Sequence, residues 1–234
     1  MSEFQQRVKP LIAGVPGWLT DEEGEALYEL AKQCTGRGAI VEIGSWKGKS
    51  TICLGLGSKA GSSVRIFAID PHADYRFGDF KANVERAGVA ELVTPIASLS
   101  QAAADDFHEP IELLFVDGSH EEQLVREDFD KWVPKVVEGG WVAFHDTTWT
   151  AGPRRVVGQR IYRGAGFKDV RFVVGSMTVA RRVARNTPAD RLRARYVLAV
   201  KTAFWLASSA LKKQRRLLPK PVERLGRRLL RAIQ

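Results

Sequence analysis

Four short stretches hold residues whose types and spacing could do chemistry: Val41-Glu-Ile-Gly-Ser-Trp-Lys-Gly48, Ala68-Ile-Asp-Pro-His72, Val116-Asp-Gly-Ser-His120 and Phe144-His-Asp146. The first reads E-x-G-x-x-x-G. Gly44 and Gly48 let the backbone turn sharply and approach a ligand that a Cβ would push away. Its spacing is neither the G-x-G-x-x-G of a dinucleotide fold nor the phosphate loop of nucleotide hydrolases. Taken alone, it serves equally well as an ordinary strand-to-helix turn. Asp70 stands 26 residues beyond Gly44, where an acid can accept hydrogen bonds from both hydroxyls of a ribose. The rival reading is an Asp that opens a turn before Pro71. Glycine loop and acid together point to an adenosine-containing cofactor. With no anchor for a diphosphate in sight, S-adenosylmethionine is favoured over a dinucleotide.

These residues need a scaffold, and the chain between them alternates strand and helix signals. "AIVEIG", "VRIFAID", "LVTPIAS", "IELLFVDG" and "GGWVAFHD" read as strands, and "VRFVVGSMTVARRV" as two closing ones. The unbroken apolar run of the fourth predicts a strand buried on both faces. Helices are predicted over "LTDEEGEALYELAKQC", capped by Thr20 or Asp21, and over "KSTICLGLGSKA", "FKANVERAG", "LSQAAADDF" and "EEQLVREDFDKWVPKV". Gly88 stops the third of these. The alternation predicts an α/β fold, a doubly wound, mostly parallel Rossmann-like sheet with helices on both faces. Such sheets bind ligands beyond the carboxyl ends of their strands. Glu42, Gly44, Asp70, Asp117, His145 and Asp146 all fall at those ends.

With these motifs in this order, residues 18–180 resemble class I S-adenosylmethionine-dependent methyltransferases, closest to the branch of macrolide-sugar O-methyltransferases and cephalosporin-hydroxylase-like proteins. The stretches that carry the resemblance are "VEIGSWKGKST", "AIDPH" and "FVDGSHEEQLVREDFDKWVPKVVEGGWVAFHDT". It implies that Glu42, Gly44, Ser45 and Gly48 line the methionine and ribose part of the cofactor, that Asp70 holds the ribose, and that Ser98 and Ser100 lie near the adenine, with Asp117 at the end of the cofactor site. In "PIASLSQ", Ser98 and Leu99 replace the Gly and Asp that the family usually has before Ser100. The resemblance also implies a divalent cation, Mg²⁺ or Mn²⁺, on Asp117, His145 and Asp146. Several relatives have Glu-Asp where this chain has His145-Asp146, a change that suits Mn²⁺, Fe²⁺ or Zn²⁺ better than Mg²⁺.

The residues of D-G-S-H agree with this. An alcohol is a poor nucleophile at neutral pH, and its proton must leave as the new carbon–oxygen bond forms. A histidine beside it can act as general base, worth about 10²–10⁴-fold. His120 is the expected base and Asp117 its catalytic partner. The alternative is that His120 caps the helix opened by Glu121 and Glu122. His72 is a weaker candidate for the border of the site, His108 is expected in solvent, and Cys53 in the core. Trp149 and "TWTAGPRR" read as a lid or a plain surface loop.

Charge divides the chain. From Arg181 onward there are 16 Lys/Arg against 2 Asp/Glu, and before it 20 against 25. Residues 1–180 are therefore expected to form the cofactor-binding domain, and 181–234 a basic helical tail. The tail's apolar run from Tyr196 to Leu211 is too short to cross a bilayer. Val222, Leu225, Leu229 and Ile233 follow at helical spacing among arginines. Packing on the domain or a partner subunit competes with attachment of the 196–234 tail to an anionic membrane; nucleic acid is the weakest reading, for want of aromatics. Two cysteines and a polar "MSEFQQRVKP" suggest a cytoplasmic protein, peripheral on the membrane if the tail binds lipid. The expected acceptor is a small molecule or glycan, and a homo-oligomer remains open. A hydroxylase-like metal enzyme and a non-catalytic membrane or nucleic-acid module are the rival functions.

Overall fold

The computed structural model describes residues 2–72 and 76–213, and the amphipathic stretch at 222–233 lies outside them. Five strands run parallel: β1 (Ala39–Ile43), β2 (Ile66–Asp70), β3 (Val93–Ala97), β4 (Ile111–Val116) and β5 (Val136–Phe144). Two more, β6 (Phe167–Val173) and β7 (Met177–Arg182), form an antiparallel pair, and β7 lies antiparallel against β5. The sheet order is β3-β2-β1-β4-β5-β7-β6. The order reverses between β1 and β4, so the crevice for a ligand opens at their carboxyl ends. Every residue of β4 is buried, as its apolar run predicts. Ile111, Leu114 and Val116 face one core cluster, and Leu113 and Phe115 face the other.

Helices cover both faces: α2 (Asp21–Lys32), α3 (Lys49–Ala60), α4 (Arg76–Arg86), α5 (Ser100–Asp106), α6 (Glu122–Trp132) and α7 (Ala151–Arg160). Ahead of them a π-helical turn, Phe4–Val8, and α1 (Lys9–Ile12) bury Phe4, Val8 and Ile12. That polar-looking leader is thus packed structure. From Ala151 on, the stretch expected as a lid or a plain loop is helix α7, and Trp149 ahead of it lines the cleft. Pro153 sits in its first turn, where backbone N–H groups have no intrahelical partner and proline costs nothing. Helix α8 (Pro188–Lys213) packs on β6 and sends Ala194 and Val197 into the core.

Candidate active site

A cleft of about 920 Å³ opens at the switch point. At its floor β1 and β4 run side by side, with Ile43 opposite Val116. The loop after β1 turns immediately: Gly44 has φ +88°, and a Cβ there would lie 2.1 Å from the Asp117 carbonyl oxygen. Only glycine fits, and the contact brings the β1 loop against the end of β4. Gly48 then caps α3 from the left-handed region.

At one end of the cleft, Asp70 accepts hydrogen bonds from the backbone N–H of Trp46 (3.0 Å) and of His72 (2.8 Å). The two bonds fix its carboxylate where it lines the cleft. Gly44, Ser45, Ser98 and Ser100 line the same space. Glu42 lies fully buried below them; one carboxyl oxygen accepts from Thr51 Oγ1 at 2.5 Å and the other has no hydrogen-bond partner among the described residues. Burial pushes this carboxyl up to about 7, against the pull of the Ser50 and Thr51 hydroxyls. Ser100 Oγ donates to the buried Asp128 at 2.5 Å, so its hydroxyl is engaged inside the protein. Leu99, where the family has an acid, is 63% exposed at the rim. His72 is buried next to Ser45 (Oγ to Nε2, 3.4 Å) and stops short of the cleft wall; His108 is exposed and Cys53 buried.

The other end of the cleft holds Asp117, His120, His145 and Asp146 together. His145 is buried between carboxylates, with Nε2 3.2 Å from Glu23 and Nδ1 3.1 Å from Asp117 and 3.6 Å from Asp146. Burial opposes its charge, but the three acids push its pKa up to about 12, so the ring is an imidazolium. Burial also works to raise Glu23. The His145 cation and the N–H groups of Thr20 and Ser176 outweigh it and hold that carboxyl below the usual range. Asp117 is raised by burial despite His145. Asp146 is held low, first by its contact with His145.

His120 lies on the open side of the same carboxylates. Its Nε2 is 2.8 Å from Asp146 Oδ2, and its side chain is 55% exposed. It does not cap α6: Glu121 is the N-cap residue, without a side-chain cap, and the Ser119 hydroxyl accepts the Glu121 N–H. Gly152, in the first turn of α7, is close enough to the His120 carbonyl oxygen that a Cβ would lie 2.2 Å from it. One donor atom each from Asp117, His120 and Asp146 lies within 4.8 Å of the others. The expected trio of Asp117, His145 and Asp146 also converges, with His145 Nδ1 turned to the two aspartates and Nε2 to Glu23.

Three contributors were not anticipated. Glu23 is the N3 residue of a capping box with Thr20, a pattern visible in the sequence. Its second role, against His145, comes from a segment 122 residues away. Ser176, between β6 and β7, gives its N–H to Glu23 at 2.6 Å and its carbonyl to Thr147. Trp18 is 84% exposed and stacks on Trp46 with ring centroids 5.3 Å apart, both on the cleft wall. Trp46 takes φ +41° for this, and Lys47 turns away to Asp79 at 2.7 Å.

Residues 41–147, which contain all four motifs, match the family model described as a methyltransferase domain. That stretch is similar to methyltransferase domains. An uncharacterized protein of Sinorhizobium fredii, y4gI, is 29% identical over 117 residues, a match that covers 46% of this chain and 13% of that protein. Among solved structures, cofactor-bound Rv0187 from MTB has a TM-score of 0.61 at 19% identity, covering 80% of this chain and 92% of that one. The O-methyltransferase TomG from Streptomyces achromogenes, in complex with SAM, has a TM-score of 0.56 at 18% identity, with 79% and 91% covered. An O-methyltransferase from Bacillus cereus in complex with SAH gives 0.56 at 18%, with 76% and 90% covered. These likenesses establish the fold, and within that fold the cleft lies at the sheet's switch point.

Proposed function

We propose that the protein is an S-adenosylmethionine-dependent O-methyltransferase acting on a hydroxyl, that of a sugar in a glycolipid, polysaccharide precursor or glycosylated natural product. One observation carries the reading: a single cleft joins the Asp70 carboxylate, oriented by two backbone N–H groups, to a His–Asp pair, His120 and Asp146. The residues fit the cofactor: Asp70 is oriented by two N–H donors, and Gly44, Ser45 and Trp46 of the β1 loop line the cleft beside it. The methyltransferase match and the cofactor-bound proteins of the same fold support it.

S-adenosylmethionine supplies an electrophilic methyl group. Asp70 holds the donor end, leaving the acceptor to enter past Trp18, Trp46 and Trp149. The stacked Trp18–Trp46 pair offers a flat apolar wall for the face of a ring. Asp146 accepts from the His120 Nε2–H and sets the tautomer, so Nδ1 is free to take the acceptor's proton as the oxygen attacks. The His145 cation, held between Glu23 and Asp117, fixes Asp146. Alignment of donor and acceptor at roughly 3 Å provides the remaining acceleration.

A second reading rests on the convergence of Asp117, His120 and Asp146. Two carboxylates and an imidazole fit a divalent cation of the Mn²⁺ or Zn²⁺ type, and three acids against one imidazolium leave the site negative. These residues would hold the ion, which would lower the pKa of the acceptor hydroxyl. In that case His120 is a ligand and no longer the base.

Calorimetric titration with S-adenosylmethionine tests the main reading; saturable binding below about 1 mM is expected, and no heat with folded protein would overturn it. Labelled-methyl transfer to hydroxylated acceptors, with and without chelator, then separates the base from the ligand.

A further inference from the structure

Helix α8 presents two apolar faces, and the fold uses one. Ala194, Val197 and Lys201 are buried against the sheet. On the opposite side Leu192, Tyr196, Ala199, Ala203 and Leu206 recur at helical spacing, and all five are exposed. Leu192 is 72% exposed, Tyr196 57% and Leu206 55%. At 1.5 Å per residue the stripe runs about 21 Å along the helix. At 100° per residue, Arg193 and Arg195 fall on its two edges, and both are exposed. Monomeric proteins seldom leave so long an apolar strip open unless something covers it.

We propose that the outer face of α8 docks on an anionic lipid surface. Charge decides the occupant. The stripe is edged by arginines and belongs to a segment with 16 Lys/Arg against 2 Asp/Glu, so its partner must be negative. A second copy meeting this face about a two-fold axis would set arginine edge against arginine edge. A nucleic acid would satisfy the charge but leave the leucines and tyrosine wet. A membrane of anionic lipid meets both needs: the apolar stripe enters the headgroup boundary while Arg193 and Arg195 remain among the phosphates. The same helix borders the cleft, since Phe204 packs on the rim residue Trp149 with ring centroids 6.1 Å apart. The docking stands on α8 alone, independent of the reaction proposed for the cleft.

Co-sedimentation of the full chain with vesicles of equal parts phosphatidylglycerol and phosphatidylcholine tests this. Binding is expected there and absent on pure phosphatidylcholine. The double change Leu192→Asp and Leu206→Asp should weaken it about tenfold or more, and Arg193→Glu with Arg195→Glu should do the same. Both pairs are exposed, and circular dichroism checks that the variants fold. Binding unchanged in the Asp variant would overturn the proposal, because the lipid contact would then lie elsewhere in the basic segment. A dimer that dissociates in that variant, with no vesicle binding, would also overturn it in favour of a second copy. RNA binding without vesicle binding would do so in favour of nucleic acid.

Discussion

The two ends of the cleft are built by opposite means. At the Asp70 end, each residue is held by near neighbours: Asp70 by the N–H groups of Trp46 and His72, Glu42 by Thr51, and the loop by its own glycines. At the Asp146 end, the pieces come from across the chain: Glu23 on α2, Asp117 after β4, His145 and Asp146 after β5, and Ser176 before β7. The first end is a local fold that offers backbone and a carboxylate. The second is a charge cluster, with His145 buried between the acids and the exposed His120 on their open side. In the proposed reaction, cofactor binding and proton removal are therefore separable, except where β1 and β4 touch.

That crossing is where the comparison breaks most easily. Gly44→Ala puts a Cβ against the Asp117 carbonyl from a left-handed backbone; about 4 kcal/mol of stability should be lost, and both ends with it. Urea unfolding and cofactor titration of the variant would show it, and a stable variant with normal affinity would mean the ends do not share that wall. Glu23→Gln should act at one end alone. The amide keeps only one acceptor oxygen, so it loses the bond from either Thr20 or Ser176 and leaves His145 short of an acid, at a cost of about 3 kcal/mol. Cofactor affinity of the folded fraction should stay within about threefold, the scatter expected of independent sites.

The smallest effect concerns the support behind Asp146. Lys201 is buried; its Nζ donates to Thr147 Oγ1 at 2.7 Å and Thr178 Oγ1 at 3.1 Å, and burial drives its pKa well below the ordinary value. Between that lowered value and about 10.4 the unfolded chain binds a proton the folded one does not, so this group makes stability rise with pH. Lys201→Met should fall within about 1 kcal/mol of the wild type near neutral pH and lose that rise. Urea midpoints of both proteins from neutral to alkaline pH measure the difference, and parallel curves would place the lysine's charge elsewhere.

The same contrast explains what was legible in the sequence. The sheet, its strand ends and the Asp70 end follow from periodicity and from motifs contiguous in the chain. Glu23 reads as a helix cap because that is its local role; its contact with His145 depends on the packing of α2 against the far half of the sheet. The histidines exchange character for a similar reason. His145 and Asp146 look alike as candidate ligands in "FHD", and only burial between Glu23 and Asp117 makes His145 a fixed cation. Helix α7 was hidden by Gly152 and Pro153, residues that favour loops except in a first helical turn.

The central claim, that one end binds the cofactor and the other works on the acceptor, is tested most directly by calorimetric titration of S-adenosylmethionine into two variants. Asp70→Ala should weaken binding about 10-fold or more, the worth of charge-assisted hydrogen bonds to a ribose. His120→Ala should bind as the wild type does. Equal loss in both, or none in Asp70→Ala, would contradict the account.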